Sequence, residues 1–248
     1  LIFQLLGGTI TIQIDVTFDH RLDSGGRDSD LFSPQLRRHH QILWSKPLPS
    51  GETFELTMQP KRYLVFRHDD PVYSLSSDSI SNSYRNAARL KDITSQISND
   101  ELDLFQALGS TVGAKILFPG KRINRKPTIN VARGWNRSIG DRFDLTLECI
   151  RLQYLKKPNP LQVTLATYWK FFELFQTFEQ YVEFFLLDDL IADGKVRFFI
   201  PTDSFDQQAF PETVASYNEY MANSMDFVMA RNLRILEWVK IQSYSSST

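Results

Sequence analysis

Apolar and polar positions change period several times along this chain, and each change predicts an element. Over Thr9–Phe18 (TITIQIDVTF) they alternate, with β-branched residues, which predicts a strand. Asp23–Asp30 (DSGGRDSD) reads as a turn, with glycines free to take positive φ and aspartates bonding their own backbone. Ser33-Pro34 then supplies a helix cap and a first helical residue. That helix carries Leu36, His40 and Leu43 on one face and stops before Pro47. Pro49-Ser50-Gly51 is a turn. Glu52–Met58, Arg62–Arg67 and Val72–Ser76 follow as an antiparallel meander, with His68-Asp69-Asp70-Pro71 as its hairpin loop.

Ser79 to Leu90 reads as a helix. Ser98-x-x-Glu101 is a capping box ahead of Leu102, Phe105 and Leu108, and Gly109 ends that helix. Gly113–Phe118 and Thr128–Ala132 read as short strands around a basic loop. Ser138-x-x-Asp141 is a second capping box, opening a helix with Phe143, Leu147, Ile150 and Tyr154 on one side. Lys156–Pro160 breaks it. The longest periodic stretch comes next. Leu161, Leu165, Tyr168, Phe172, Phe175 and Val182 form one stripe, and Phe171, Leu174, Phe178, Tyr181 and Phe185 form its neighbour. A helix apolar over so much of its circumference is buried on more than one side. Val196–Ile200 is a short strand, and Pro211 to about Trp238 the last long helix.

These elements predict an α+β fold: an N-terminal antiparallel β-rich half, about 9–135, packed on a C-terminal helical half, about 138–240. We expect a single domain over 1–248, with the Ser-rich tail 243–248 frayed. Of the 248 residues 42% are apolar and 23% charged, which excludes whole-chain disorder and suffices for a core. No apolar run approaches the length of a membrane span, so no membrane partner is expected. The single cysteine, Cys149, excludes an intramolecular disulfide and sits in an apolar helix pattern, as a core residue would. Leu1–Gly8 is too short, and lacks the basic flank, to read as a secretory signal. Both features give a cytoplasmic expectation.

Net charge is −1, so the molecule as a whole is no polycation. The charge is nevertheless segregated. Residues 104–140 contain no Asp or Glu and carry Lys115, Lys121, Arg122, Arg125, Lys126, Arg133 and Arg137. Residues 170–228 carry a net −8. Three readings stay open: the blocks neutralise each other inside the fold, the basic block meets an external anion, or the charges are solvated surface.

The second reading makes Lys115–Arg142 the candidate site. Arg133 and Arg137 present guanidinium forks suited to phosphate, and Trp135 offers a stacking face. Lys121, Arg122, Asn124, Asn136 and Arg142 complete the expected ligand set, although Arg142, in the first turn of a helix, also suits Asp144. The expected ligand is a phosphate-bearing small molecule of nucleotide type; the same cations suit a nucleic-acid backbone, or the segment belongs to a non-catalytic interaction module. Chemistry, if any, has weak candidates in Asp19, Asp23, Asp28 and Lys46. Asp28 and Asp30 extend the aspartate series toward a possible cation site, but no EF-hand or other metal spacing is present. His20, His39, His40 and His68 likewise match no metal-ligand pattern, and of adjacent His39 and His40 one is expected to face the core and the other solvent. No metal is therefore expected. Walker, dinucleotide, zinc-protease and nucleophile-elbow motifs are absent. Cofactor, enzymatic activity and oligomeric state are not encoded in any motif.

The strings LWSKPLPSG (Leu43–Gly51), FPGKRI (Phe118–Ile123), TINVARG (Thr128–Gly134), DRFDLTLECIR (Asp141–Arg151) and YVEFFLLDDL (Tyr181–Leu190) resemble those of a bacterial family known only as a domain of unknown function. The resemblance spans about residues 15–238. It implies a soluble bacterial protein forming one unit, and carries no reaction, substrate or catalytic residue.

Overall fold

The structure, a computed structural model, describes residues 5, 6, 9, 10, 13–68, 72–202 and 204–245. Its elements run β1 (Leu5–Leu6), β2 (Thr9–Ile10), α1 (Ser29–Phe32), α2 (Pro34–Trp44), β3 (Leu56–Thr57), β4 (Leu64–Arg67) and β5 (Val72–Ser79). Then come α3 (Lys91–Thr94), α4 (Asn99–Leu108), β6 (Lys115–Pro119), α5 (Ile129–Trp135), α6 (Phe143–Tyr154), α7 (Gln162–Thr167), α8 (Trp169–Glu173), α9 (Phe178–Phe184), β7 (Ile191–Ala192), β8 (Lys195–Val196) and α10 (Val214–Ser245). The main sheet is antiparallel in the order β3-β4-β5-β6. Helix accounts for 46% and strand for 11%, and the sheet lies wholly in the N-terminal half, so the fold is α+β.

The central strand β5 changes partners along its length. Val72–Leu75 pairs with β4, and Leu75–Ser79 pairs with β6. From Ser76 onward its β4 side is therefore open, and the polar residues there are met by side chains instead. The sheet meets the helices through aromatic rings. Phe54 packs tilted against Phe66 at 4.2 Å and reaches Phe184 at 5.5 Å. Phe175 and Trp44 each lie 5.2 Å from Phe185. Such pairs contribute roughly 0.5–1.5 kcal/mol each beyond the area they bury. Both aromatic stripes are largely buried, and one continuous core cluster joins Ile14 to Val239.

Several expected elements take another form. The chain at Asp15–Phe18 is a turn rather than strand, because the Asp15 carboxylate accepts from Thr17 N at 2.9 Å and Thr17 Oγ1 at 2.7 Å. Positions 11–12 of that expected strand, Asp69–Pro71 of the hairpin loop and the tail from 246 lie outside the described residues. Ser79–Leu90 is not a helix. Asn82 bonds Tyr84 N, Tyr84 takes φ 51°, and only Ala88–Leu90 closes a 3₁₀ turn. Thr128–Ala132 is helical, not a strand: the Thr128 hydroxyl caps Val131 N and overrides the β-branched run. At α6 the expected Ser138 capping box does not form. Asp141 sits at φ 61° and Arg142 occupies the cap position. The long aromatic stretch is divided into α7, α8 and α9, because Gln176 turns at φ 60° and Thr177 starts a new helix with its own cap. The Ser98–Glu101 capping box is present as expected.

Helix α10 ties the two halves together. Arg231 is buried and donates to Phe185 O at 2.8 Å, Gly113 O at 2.9 Å and Lys115 O at 2.7 Å. Asn232 accepts from Gly113 N at 3.0 Å and donates to Thr111 at 3.2 Å. These bonds fix the start of β6, and through it the acid-free segment. Among the described residues no helix is long and apolar enough to cross a membrane.

Candidate functional site

The acid-free segment is divided between inside and outside. Its first cation, Lys115, is at the start of β6 and donates to Ser79 Oγ at 2.9 Å. Burial lowers its pKa, against the pull of Asp30 and Asp78. The capped start of α5 puts Asn130 and Arg133, three residues apart, on one face toward β5. Asn130 donates to Ser76 Oγ at 3.3 Å, while Arg133 is fully enclosed at 0% exposure. Arg133 pairs with Asp78, donates to Ser79 O at 3.0 Å and Asp141 O at 2.7 Å, and lies 3.5 Å from the Asp141 carboxylate. Burial opposes its charge, but the two aspartates outweigh burial and raise its pKa. Arg142, 1% exposed, forks onto Asp144 and reaches Ala209 O and Ile200 O, each at 3.1 Å. Asp144 in turn accepts from Phe199 N at 2.7 Å.

These contacts withdraw Arg133 and Arg142 from the expected ligand set. The paired clamp of Arg133 with Arg137 does not form, because one guanidinium is enclosed and the other is exposed. Asn136 is also engaged, donating to Pro160 O at 3.1 Å and accepting from Ser138 N at 2.9 Å. The expectation of mutual neutralisation is corrected in its partners. The buried arginines meet Asp78, Asp141 and Asp144, not the acidic block 170–228, whose Asp188 and Asp189 pair with Arg234.

Five cations remain outside. Lys121, Arg122, Arg125 and Lys126 lie in the exposed loop between β6 and α5, and Arg137 lies just beyond α5. Among the described residues none of the five pairs with a carboxylate. Asn124 and Arg125 turn the loop at φ 50° and 62°. Trp135, at the end of α5, is 74% exposed. The loop is anchored from beneath, where Tyr168 OH donates to Lys121 O at 3.2 Å.

The loop aspartates are occupied locally. Asp19 forks onto Arg21, Asp23 accepts from Gln35 N at 3.0 Å, and Asp28 caps α1 through Asp30 N at 3.0 Å. The group in an unusual state is Asp30. It covers the open edge of β5, accepting from Ser77 N at 2.7 Å. Burial first, then Asp28, raise its pKa to about 7, with Ser77 N–H and Lys115 opposing. Beside it Ser77 Oγ and Asn130 Oδ1 are buried without partners. Sequence reasoning placed Asp30 in the aspartate series but gave it no special role. The available signal was an acid followed directly by apolar Leu31 and Phe32.

Both His39 and His40 are buried, contrary to the expected core and solvent split, because α2 is covered on both sides. His20 bridges Ser110 O at 2.7 Å and His39 Nδ1 at 3.1 Å, and Trp44 Nε1 donates to His40 Nδ1 at 3.0 Å. Burial lowers all three, His39 to about 4, so they are neutral at pH 7. Among the described residues no group of three His, Cys, Asp or Glu is arranged to hold a metal. Cys149 is buried in α6 and its thiol is pushed up by burial. Lys46 stands apart from these groups, in a cleft beside Trp238.

A model of a family described as "Family of unknown function (DUF6994)" matches residues 14–235. No curated protein and no solved structure matches the chain.

Proposed function

We propose, for a chain that belongs to the DUF6994 family and so inherits no activity from it, that the outward half of the basic segment binds a phosphate-bearing ligand. Lys121, Arg122, Arg125, Lys126 and Arg137 supply the charge, Asn124 a hydrogen-bonding amide, and Trp135 a face for a base. The observation that carries this reading is five exposed cations, with no carboxylate partner among the described residues, in the same stretch of chain as a Trp that is 74% exposed. A large exposed aromatic loses its contact with water when a base stacks on it, and arginine forks match phosphate oxygens. Arg133 and Arg142 serve by holding α5 and the start of α6 in place.

Thermal unfolding with nucleoside triphosphates, tripolyphosphate and short oligonucleotides tests this. A ligand present at 100 times its Kd adds about 2.7 kcal/mol of stability. Trp135 fluorescence should respond to base-bearing ligands and not to tripolyphosphate. Absence of any shift with every phosphate compound would overturn the reading.

A nucleic-acid backbone is the second reading, and the exposure of the whole Lys121–Lys126 loop favours it over an enclosed mononucleotide. An oligonucleotide binding more tightly than a triphosphate, with strong salt dependence, would select it. In either reading the protein works in a bacterial cytoplasm, a setting that suits the free Cys149 thiol.

A further inference from the structure

The backbone of Lys46 is held on both sides. Its N–H donates to Trp44 O at 2.8 Å, and its carbonyl accepts from Phe54 N at 2.9 Å. Pro47 follows with a fixed φ. The side-chain nitrogen lies over three ring faces, at 4.7 Å from the centroid of Phe184, 5.0 Å from Trp238 and 5.2 Å from Trp44. Among the described residues it has no hydrogen-bond acceptor and no ion pair. It lines a cleft of about 490 Å³ walled by Leu48, Phe184, Leu186 and Trp238, with Gln180 and Glu183 alongside. The Gln180 amide oxygen is buried without a donor. Arg234, at the same cleft, is held by Asp189 at 2.7 and 2.8 Å.

An ammonium is favoured by ring faces and costs free energy when stripped of water. Here burial is the larger effect. With Arg231 as the next cause, it brings Lys46 down to about 7, against the opposing pull of Glu183 and Asp188. The uncharged amine, which has a free lone pair, is thus well populated at neutral pH.

We propose that Lys46 is a reactive amine that captures a neutral aldehyde or ketone in this cleft as a Schiff base. The walls suit an aromatic or aliphatic body, and Glu183 and Asp188 at the cleft disfavour an anionic one. The Nζ lone pair forms the C–N bond while the carbonyl π electrons move to oxygen, which takes a proton. The amine loses its protons, the hydroxyl leaves as water, and the products are one imine and one water, with no change of oxidation state. Glu183 is the nearby group suited to exchanging these protons. The site is separate from the basic loop, so it stands or falls independently of phosphate binding.

Benzaldehyde with sodium cyanoborohydride, which reduces the imine to a stable benzylamine, tests the proposal on the full chain. At pH 7 about half of an amine with this pKa is uncharged, against roughly one in 3,000 for an ordinary lysine. Lower basicity and restricted access take back part of that advantage. Peptide mass mapping should therefore show Lys46 labelled at least ~10-fold faster than the exposed Lys156 and Lys157. Its rate should reach half-maximum near pH 7, and Lys46→Arg, which keeps a cation over the rings, should abolish it with unchanged circular dichroism. Labelling of Lys46 no faster than Lys156 and Lys157, or a rate that rises only above pH 9, would overturn the proposal. Faster capture of the anionic pyridoxal 5′-phosphate than of benzaldehyde at Lys46 would overturn the neutral ligand class.

Discussion

Replacing Arg133 by Ala removes a fully buried cation from between two carboxylates. The guanidinium also bonds Ser79 O and Asp141 O, so both carbonyls lose a donor. Breaking a buried pair from one side costs about 3–5 kcal/mol. The Asp78 and Asp141 side chains are 20% and 32% exposed, so water relieves part of their unpaired charge and the lower end, about 3 kcal/mol, applies. For a chain of this size that corresponds to a fall in Tm of roughly 6–12 °C. Arg137→Ala, on the exposed side of the same segment, should change stability by no more than about 0.5 kcal/mol. Urea unfolding followed by far-UV circular dichroism measures both. Arg133→Lys keeps the charge but loses the fork, so it should fall between them. If Arg133→Ala does not fold, Arg133→Met with Asp78→Asn, which removes charge from both sides, should recover part of the loss. An Arg133→Ala protein within about 1 kcal/mol of the parent, or an equal loss in Arg137→Ala, would refute the division into inward and outward cations.

Asp30 gives a pH signature. Its pKa of about 7 in the folded chain exceeds the unfolded carboxyl value, so the folded state keeps a proton that the unfolded state has lost. Stability should fall as pH rises from about 4 to about 7, by at most ~1.4 kcal/mol per unit from this group. Asp30→Asn should flatten that slope, and parallel profiles for the two proteins would contradict the assignment. Gly113→Ala would place a Cβ 2.2 Å from Asn232 Oδ1 and 3.1 Å from Val228 O, so denaturation should show a loss of about 1–3 kcal/mol from overpacking. Trp135→Ala should leave stability unchanged within about 0.5 kcal/mol. In a binding titration it should weaken a base-bearing ligand by about 1–3 kcal/mol, and equal binding by parent and variant would remove Trp135 from the site.

Local signals survived translation into structure where one residue acts on its own backbone. Ser33 and Ser98 cap helices where their spacing places them, and Gly109 closes α4. The aromatic stripes of 161–185 mark buried faces correctly, because burial follows periodicity whether one helix or three carry it. The divisions at Tyr168 and Gln176 are invisible to periodicity, since three short helices can keep the same residues inward. The strand expected over Thr128–Ala132 fails for a related reason: Ile129 and Val131 favour strands on average, and a single capping hydroxyl outweighs them here. At the candidate site the charge count was legible, but its division was not. Arg133 and Arg137 differ by one turn of chain, and only the position of Asp78, on a strand fifty-five residues earlier, decides which is enclosed. The state of Lys46 was equally hidden, because Phe184 and Trp238 approach it from distant parts of the chain.

The salt dependence of binding to a single-stranded oligonucleotide bears most directly on the outward cations. Five phosphate contacts give a slope of log Kobs against log salt near −3.5, since each contact contributes about −0.7 on single strands. Arg122→Ala with Arg125→Ala should reduce it to about −2.1 with the fold intact. No binding by the parent protein at low salt would eliminate the nucleic-acid reading, and a slope unchanged by the two substitutions would contradict the account.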